Sequence, residues 1–359
     1  MTISHTLARG PDAETASDTT AARDLHFGRC AADVGRLRTL FAPVSADRLP
    51  RLSDIADNDG AEMSWTRLRR AAFSTCDPAQ LDDRERLILM AIALDHSLEH
   101  SPIFTHGTAR AILDLPSIGR GSDLVDFASP PGGSGRSPQA RRRRTSIVPT
   151  FETIGGLLVT DLDRTIIDTA RYASLESALV AADAALHAQL TEQASLLALA
   201  RALPKGSRGC KMAELAMLLT DHRAESPLES LSRARMFQLG LPKPELQVKF
   251  YDSSGFIGRV DFFWKQLGLI GEADGRMKFR VSDGLTGQEA EEAVWRAKRR
   301  DDRLRRHPDV RNVGHWDWNE ALHPGTFMGV LQELGVFPVR DGGWPLPNGP
   351  LPRRPRAAH

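Results

Sequence analysis

Three acids, Asp261, Glu272 and Asp274, fall in a stretch whose apolar patterning reads as paired strands, an arrangement suited to holding a divalent cation. LQVKFY is one strand, DSSG a turn and FIGRVDFFW a second strand. LGLIGEAD follows as a third. Asp261 sits late in the second strand; Glu272 and Asp274 close the third and, two residues apart, point to one side of it. Just upstream, SPLESLSRARMFQLGL reads as a helix with Ser226 as cap, Pro227 at its first position and a stop at Gly240 and Pro242. That helix carries Glu229. The chemistry this layout invites is metal-assisted phosphodiester hydrolysis. Carboxylates from adjacent strand ends hold Mg²⁺, a hard cation that prefers oxygen, and Glu229 could complete the shell. The metal polarises the phosphoryl oxygen, activates a water and stabilises the leaving oxygen.

Each acid also has a plainer reading. Ser226 and Glu229 form an S-x-x-E capping box, so Glu229 could serve only a backbone N–H. Asp261, between Val260 and Phe262, is costly to bury unless paired or at a strand end. Glu272-Ala273-Asp274-Gly275 could be an acidic turn.

The elements that must position these residues lie in a chain of 359 residues, long enough for two or three domains. An apolar content of 41% and a charged content of 26% are those of a globular chain, and a net charge of +1 leaves room for local basic faces. Cys30, Cys76 and Cys210 are odd in number and lack CxxC spacing, which argues against a disulfide framework or zinc site and for a reducing compartment. The apolar run Leu87–Leu94 is too short to span a bilayer and the N-terminus has no signal-peptide core, so no membrane contact and a cytoplasmic location are expected. Residues 1–24 are small and polar and are expected to be disordered. Residues 25–78 have the length of a winged helix-turn-helix in degenerate form. From Asp82, DDRERLILMAIALDHSL is a helix, SPIFTHGTARAILDLP a short strand and a helix closed by Pro116, and DLVDFAS a strand. SPPGGSGRSPQARRRR reads as a loop, and RTSIVPT and GGLLVT as strand-like pieces. DLDRTIIDTAR and SLESALVAADAALHAQLTEQASLLALARAL read as two helices, the second capped by Ser174. Residues 80–205 thus look like one α/β unit. From Asp341 the chain is rich in Pro and Gly and reads as an unfolded tail over 341–359.

SPLESLSR, GRVDFFW, GLIGEADGRMK, AVWRAKRRDDRLRR and HWDWNEAL, in that order, resemble the PD-(D/E)XK superfamily, in particular its very-short-patch-repair (Vsr)-like branch, over residues 222–336. The resemblance implies a restriction-endonuclease-like mixed sheet flanked by helices. By it Glu229 is the helix acid, Asp261 the metal aspartate and Glu272 the second metal ligand. Asp274 stands where the superfamily usually has lysine, and His315 where an arginine is favoured. Lys278 and the pair Lys298 and Arg299 occupy positions usually basic. Read from the residues alone, AKRRDDRLRR is first a solvated helix face with internal ion pairs, with phosphate contact as the alternative. THGTARAILDLP, RLRRAAFST and GLLVTDLDRTIIDTARYASLESALVAADAAL are similar to actinobacterial AbiEi-like antitoxins of type IV toxin–antitoxin systems. That resemblance implies a DNA-binding regulator and a cognate toxin as partner. The fold expected overall is α/β (α+β).

Arg141, Arg142, Arg143 and Arg144 lie in a Gly/Pro-rich stretch and could form a flexible phosphate-binding arm or a solvated hairpin tip. GGSGRS lacks the order of a P-loop. Asp161, Arg164 and Asp168 read as a cap and a structural ion pair, His106 as a packing or cap residue, and Trp316 with Trp318 as alternate residues of a strand. Three functions remain open: a Mg²⁺-dependent DNA endonuclease or nickase, a non-catalytic DNA-binding regulator, and a protein-binding antitoxin. Preserved Asp261 and Glu272 favour the first, and the absent lysine favours the second.

Overall fold

The computed structural model describes residues 11–43, 66–69, 72–119, 123–129, 135–136, 138–144, 149–274 and 287–347. Among them the chain is of mixed α and β content, with three sheets. It divides into two compact units, Met1–Tyr172 with Ala188–Ala202, and Ala173–His187 with Leu203–His359.

In the first unit a long helix, α1 (Pro11–Thr39), replaces the disorder expected up to residue 24. Its apolar contacts explain why: His26, Cys30, Val34 and Leu37 recur at helical spacing and are all buried. Strands β1 (Phe41–Pro43), β2 (Thr66–Arg69) and β3 (Ala72–Ser74) form a small antiparallel sheet in the order β1-β3-β2. The second helix of a winged helix-turn-helix would fall between Pro43 and Thr66, outside the described residues. Helix α2 (Asp83–Ser97) opens with a complete capping box on Asp82 and packs Leu89 and Ala93 on Leu68 and Ala72.

Strand β4 (Ile103–Phe104) leads to α3 (His106–Ile112), which stops short of Pro116, Asp114 taking a left-handed φ of 51°. Strands β5 (Val125–Ser129), β6 (Gly135–Arg136), β7 (Ala140–Arg144), β8 (Phe151–Ile154) and β9 (Leu157–Thr160) complete a six-stranded mixed sheet, ordered β6-β7-β5-β4-β9-β8. The segment expected to be a loop therefore supplies two strands, and Arg141–Arg144 belong to one of them. Their inward-facing members find a buried counter-charge on β5, which the local sequence does not announce. Helix α4 (Leu162–Tyr172) ends this run.

The long helix expected from Ser174 is two helices, α5 (Leu175–His187) and α6 (Gln193–Ala202), with Gln189 at φ 57° between them. Helix α5 belongs to the second unit and α6 to the first, so 80–205 is not one unit. Buried charge explains the membership of α5. Asp183, fully buried, pairs with buried Arg233 at 2.6 Å and accepts from the Asp221 N–H at 2.8 Å.

The second unit continues with α7 (Cys210–Leu219) and α8 (Pro227–Gln238), the latter capped by Ser226. Then come β10 (Glu245–Asp252), β11 (Gly255–Trp264), β12 (Leu269–Ala273), α9 (Gly287–Arg305), β13 (Asn312–Trp316), α10 (Trp318–Leu322) and α11 (Pro324–Leu334). The four strands form a sheet in sequence order, antiparallel except for the parallel pair β12–β13. On one side Phe250, Val260, Phe263, Ile270 and Val313 pack on Leu304 of α9. On the other, Phe262 stacks on Trp316, which meets Phe327 of α11 and donates to Ser232 of α8. Trp318 is not the next outward residue of a strand; it opens α10, whose capping box on Asp317 ends β13. The expected tail is ordered through residue 347. Trp344 meets Phe237 edge-on and donates to the Leu241 carbonyl at 2.8 Å, while the Lys243 N–H bonds the Gly342 carbonyl. One indole with its N–H satisfied is enough to dock a Pro/Gly segment.

Replacing Arg233 by Met leaves Asp183 buried without its counter-ion. Urea denaturation is expected to show a loss of about 3–5 kcal/mol, and a loss below ~1 kcal/mol would contradict the pairing described.

Candidate functional site

Strand β11 does not keep its alternation. Val260 packs on the α9 side and Phe262, two residues on, packs on the α8 and α11 side. The slip falls at Asp261. On the partner strand, the pairs Leu246↔Phe262 and Val248↔Val260 place Gln247 opposite Asp261. Gln247 takes a left-handed φ of 56°, a strained value for a side-chain-bearing residue.

This irregularity puts the Asp261 carboxylate between the two faces. Its Oδ2 accepts the Ala273 N–H at 2.8 Å and its Oδ1 the Gln247 amide at 3.4 Å. The same Gln247 amide donates to Glu229 Oε2 at 2.9 Å. Glu229 therefore caps and faces the site at once, also accepting from Ser226 Oγ at 2.8 Å and from the Glu225 N–H at 3.0 Å. Burial raises the Glu229 carboxyl above its ordinary value, and the charge of Asp261 raises it further.

Glu272 lies on the α9 side of β12 and is buried. Its Oε1 accepts from Arg300 of α9 at 2.8 Å, and the same guanidinium nitrogen donates to the Arg259 carbonyl at 2.6 Å. Gly258 makes this possible, because a Cβ there would collide with the Arg300 side chain. Burial pushes the Glu272 carboxyl up to about 7; Arg300 opposes this, while Asp261 and then Asp274 add to it. The carboxyls of 229 and 272 thus both feel Asp261.

Asp274 carries on the pattern on the α9 side. It is bonded at 2.7 Å by His315 Nδ1, and His315 Nε2 bonds Asp301 of α9 at 3.0 Å. With an acid on each nitrogen the imidazole is held in its charged form. The bonds to Asp274 and Asp301 push it up to about 10 against the opposing effect of burial. His315 is therefore a cationic tie between β12, β13 and α9, and it has no lone pair to act as a base.

Lys278 lies outside the described residues. Lys298 and Arg299 are exposed on α9, Lys298 lying over the Trp295 ring at 5.5 Å, on another face from Arg300. Arg141 to Arg144 do not form a mobile arm. Arg141 and Arg143 clamp buried Asp126 at 2.6 and 2.9 Å, and Arg142 lies over the Phe127 ring. Sequence reasoning missed Gln247, Arg300, Asp301 and His315 as the partners of the acids. Arg300 was findable: it precedes apolar Leu304 by four residues and so shares its inward face.

All donors that Asp261, Glu229 and Glu272 present are oxygens, and the charge of Asp261 adds to the rise of the other two, so the chemistry of the set fits a hard cation such as Mg²⁺. Among the described residues no three His, Cys, Asp or Glu side chains are already grouped as a metal cage.

No family model matches the chain, and no solved structure matches it. Two Mycobacterium tuberculosis proteins are similar to it in part: uncharacterized protein MT2308 of strain CDC 1551 / Oshkosh and uncharacterized protein Rv2248 of strain ATCC 25618 / H37Rv. Each is 35% identical over 122 residues, which is 34% of this chain and 45% of the relative. The chain thus spans less than half the length of these relatives. No helix among the described residues is long and apolar enough to cross a membrane.

The His315 tie makes a pH prediction. Its folded value lies above the ordinary 6.5, so its contribution to stability is complete below 6.5 and is lost as pH rises towards about 10. The stability difference between the wild type and His315→Gln, from denaturant titrations at several pH values, is expected to be largest near pH 6 and to shrink on the way to pH 10. A difference that grows with pH would contradict the tie.

Proposed function

We propose that the second unit is a divalent-metal-dependent endonuclease or nickase acting on DNA, of the Vsr-like PD-(D/E)XK type, in a chain of AbiEi-like architecture. The observation that carries this reading is the position of Asp261, joined through the Gln247 amide to Glu229 on α8 and held by the Ala273 N–H next to Glu272 on β12. A mixed sheet with helices on both faces, bearing acids on adjacent strands, agrees with it.

Asp261 and Glu272 would hold Mg²⁺, with Glu229 linked to them through Gln247. Bound there, the ion would supply Lewis-acid polarisation of a phosphoryl oxygen and a water of lowered pKa. The chain's own residues then have separable tasks. Gln247 fixes the approach of Glu229 to Asp261. The Ala273 N–H orients the Asp261 carboxylate. Arg300 neutralises Glu272, and ligation of a metal by that acid competes with the ion pair. His315 supplies the counter-charge for Asp274 and Asp301.

A second reading, a non-catalytic DNA-binding regulator that keeps the sheet as a scaffold, is favoured by one observation. Asp274 stands where the superfamily usually has lysine and is tied to a cationic His315 with no lone pair to offer. A cognate toxin as partner belongs to that reading.

Supercoiled plasmid incubated with the full chain and Mg²⁺ or Mn²⁺ separates the two. Nicking by the wild type and a loss of at least ~100-fold in Asp261→Ala is expected, the scale of removing a group that acts in the transition state. Salt-sensitive retardation of DNA without nicking by either protein would replace the nuclease with the regulator.

A further inference from the structure

The first unit holds a second charged constellation in which the proportions are reversed. Asp126, 1% exposed on β5, lies opposite Arg141 in the parallel register with β7, and Arg143 is two residues further on the same face. Both guanidiniums fork onto its carboxylate, Arg141 at 2.6 and 2.9 Å and Arg143 at 2.9 and 3.5 Å. On α4, buried Asp168 is likewise shared by two arginines, Arg164 donating to Oδ2 at 2.9 Å and Arg171 to Oδ1 at 3.3 Å. One arginine neutralises one carboxylate. A second on each leaves surplus positive charge.

His106 stands between the two pairs. Asp168, Arg143, Asp126 and Arg141 all act on its ring electrostatically. That ring lies 5.0 Å from the Tyr172 ring, and the Arg171 guanidinium sits 4.8 Å from the centre of the same Tyr172 ring. The His106 backbone is left-handed, with φ 54°. Such strain persists only where the surroundings enforce it, and it gathers at binding sites. Two buried side-chain atoms here, His106 Nδ1 and Thr105 Oγ1, have no hydrogen-bond partner among the described residues. Asp161, at the start of α4, is turned to the Arg164 N–H and to Thr150.

We propose that Arg141, Arg143, Arg164 and Arg171, braced by Asp126 and Asp168 around His106, form a binding site for the phosphates of a nucleic-acid backbone. Bracing fixes the guanidinium planes before the ligand arrives, so less side-chain freedom is lost on binding. Two separately braced pairs suit a ligand that presents phosphates repeatedly rather than one anion. The site stands independently of the acids in the second unit.

The test uses the full chain, a short fluorescein-labelled DNA duplex and anisotropy over a series of salt concentrations. Arg143→Gln/Arg164→Gln removes two charges and leaves one arginine on each carboxylate. It is expected to weaken binding by ~10-fold or more and to lower the log–log salt slope by ~2. Arg142→Gln/Arg144→Gln removes the same charge from the opposite face of β7 and is expected to change affinity by less than ~3-fold. If the first pair does not fold, Arg164→Gln alone is expected to lower the slope by ~1. Equal losses from both pairs, or an unchanged slope in Arg164→Gln, would overturn the proposal. Displacement of the duplex by inorganic pyrophosphate at equal phosphate concentration would assign the site to a small phosphorylated ligand and overturn the nucleic-acid assignment. None of these variants touches Asp261, Glu229 or Glu272, so the outcome is separable from plasmid nicking.

Discussion

Burial of acids near one another is the constraint on which the second unit's candidate site depends: desolvation raises the carboxyls of Glu229 and Glu272, and the charge of Asp261 adds to it. Two unit charges about 4 Å apart repel by roughly 4 kcal/mol at an effective dielectric of about 20. A hydrogen bond returns only about 1 kcal/mol net. Gln247 and the Ala273 N–H orient the acids without supplying a counter-charge. The remaining remedies are a proton, a fixed cation or a bound one. The structure shows the second: Arg300 lies against Glu272, whose carboxyl burial pushes up to about 7, while burial and then the charge of Asp261 raise that of Glu229. A bound cation, the third remedy, belongs to the functional state we propose.

The surrounding elements are arranged around that problem. A slip in β11 at Asp261 lets one carboxylate lie between the α8 face and the α9 face, and the left-handed Gln247 opposite accommodates it. The absent side chain at Gly258 lets Arg300 lie across the strand. His315, between Asp274 and Asp301, gathers two further acids onto a cation of their own. In the first unit the ratio is inverted, with two arginines on each of Asp126 and Asp168. One chain thus contains an acid-rich cluster and an arginine-rich cluster.

The elements of the second unit were legible because their periodicities are strong. The Ser226 cap, the DSSG turn and the apolar strands placed Glu229, Asp261 and Glu272 on the right elements. What was hidden depends on distant partners. Nothing near Arg141 announces that Asp126 on a parallel strand will clamp it, so a strand read as a loop. The slip at Asp261 needs Gln247 opposite it, a pairing that alternation of single residues does not encode. The first helix up to residue 24 read as disorder because that part is small and polar, whereas His26, Cys30, Val34 and Leu37 carry the buried stripe. The Trp344 segment read as tail because one anchor in a Pro/Gly-rich stretch leaves no periodicity.

Mn²⁺ titration of the full chain by calorimetry, with wild type and Asp261→Asn side by side, tests most directly whether Asp261 and Glu272 share a cation. Saturable binding by the wild type is predicted, with a weakening of at least ~10-fold in Asp261→Asn, which keeps the side chain's shape and removes its charge. Equal affinity in the two proteins, or no saturable binding by the wild type, would contradict the shared-cation site.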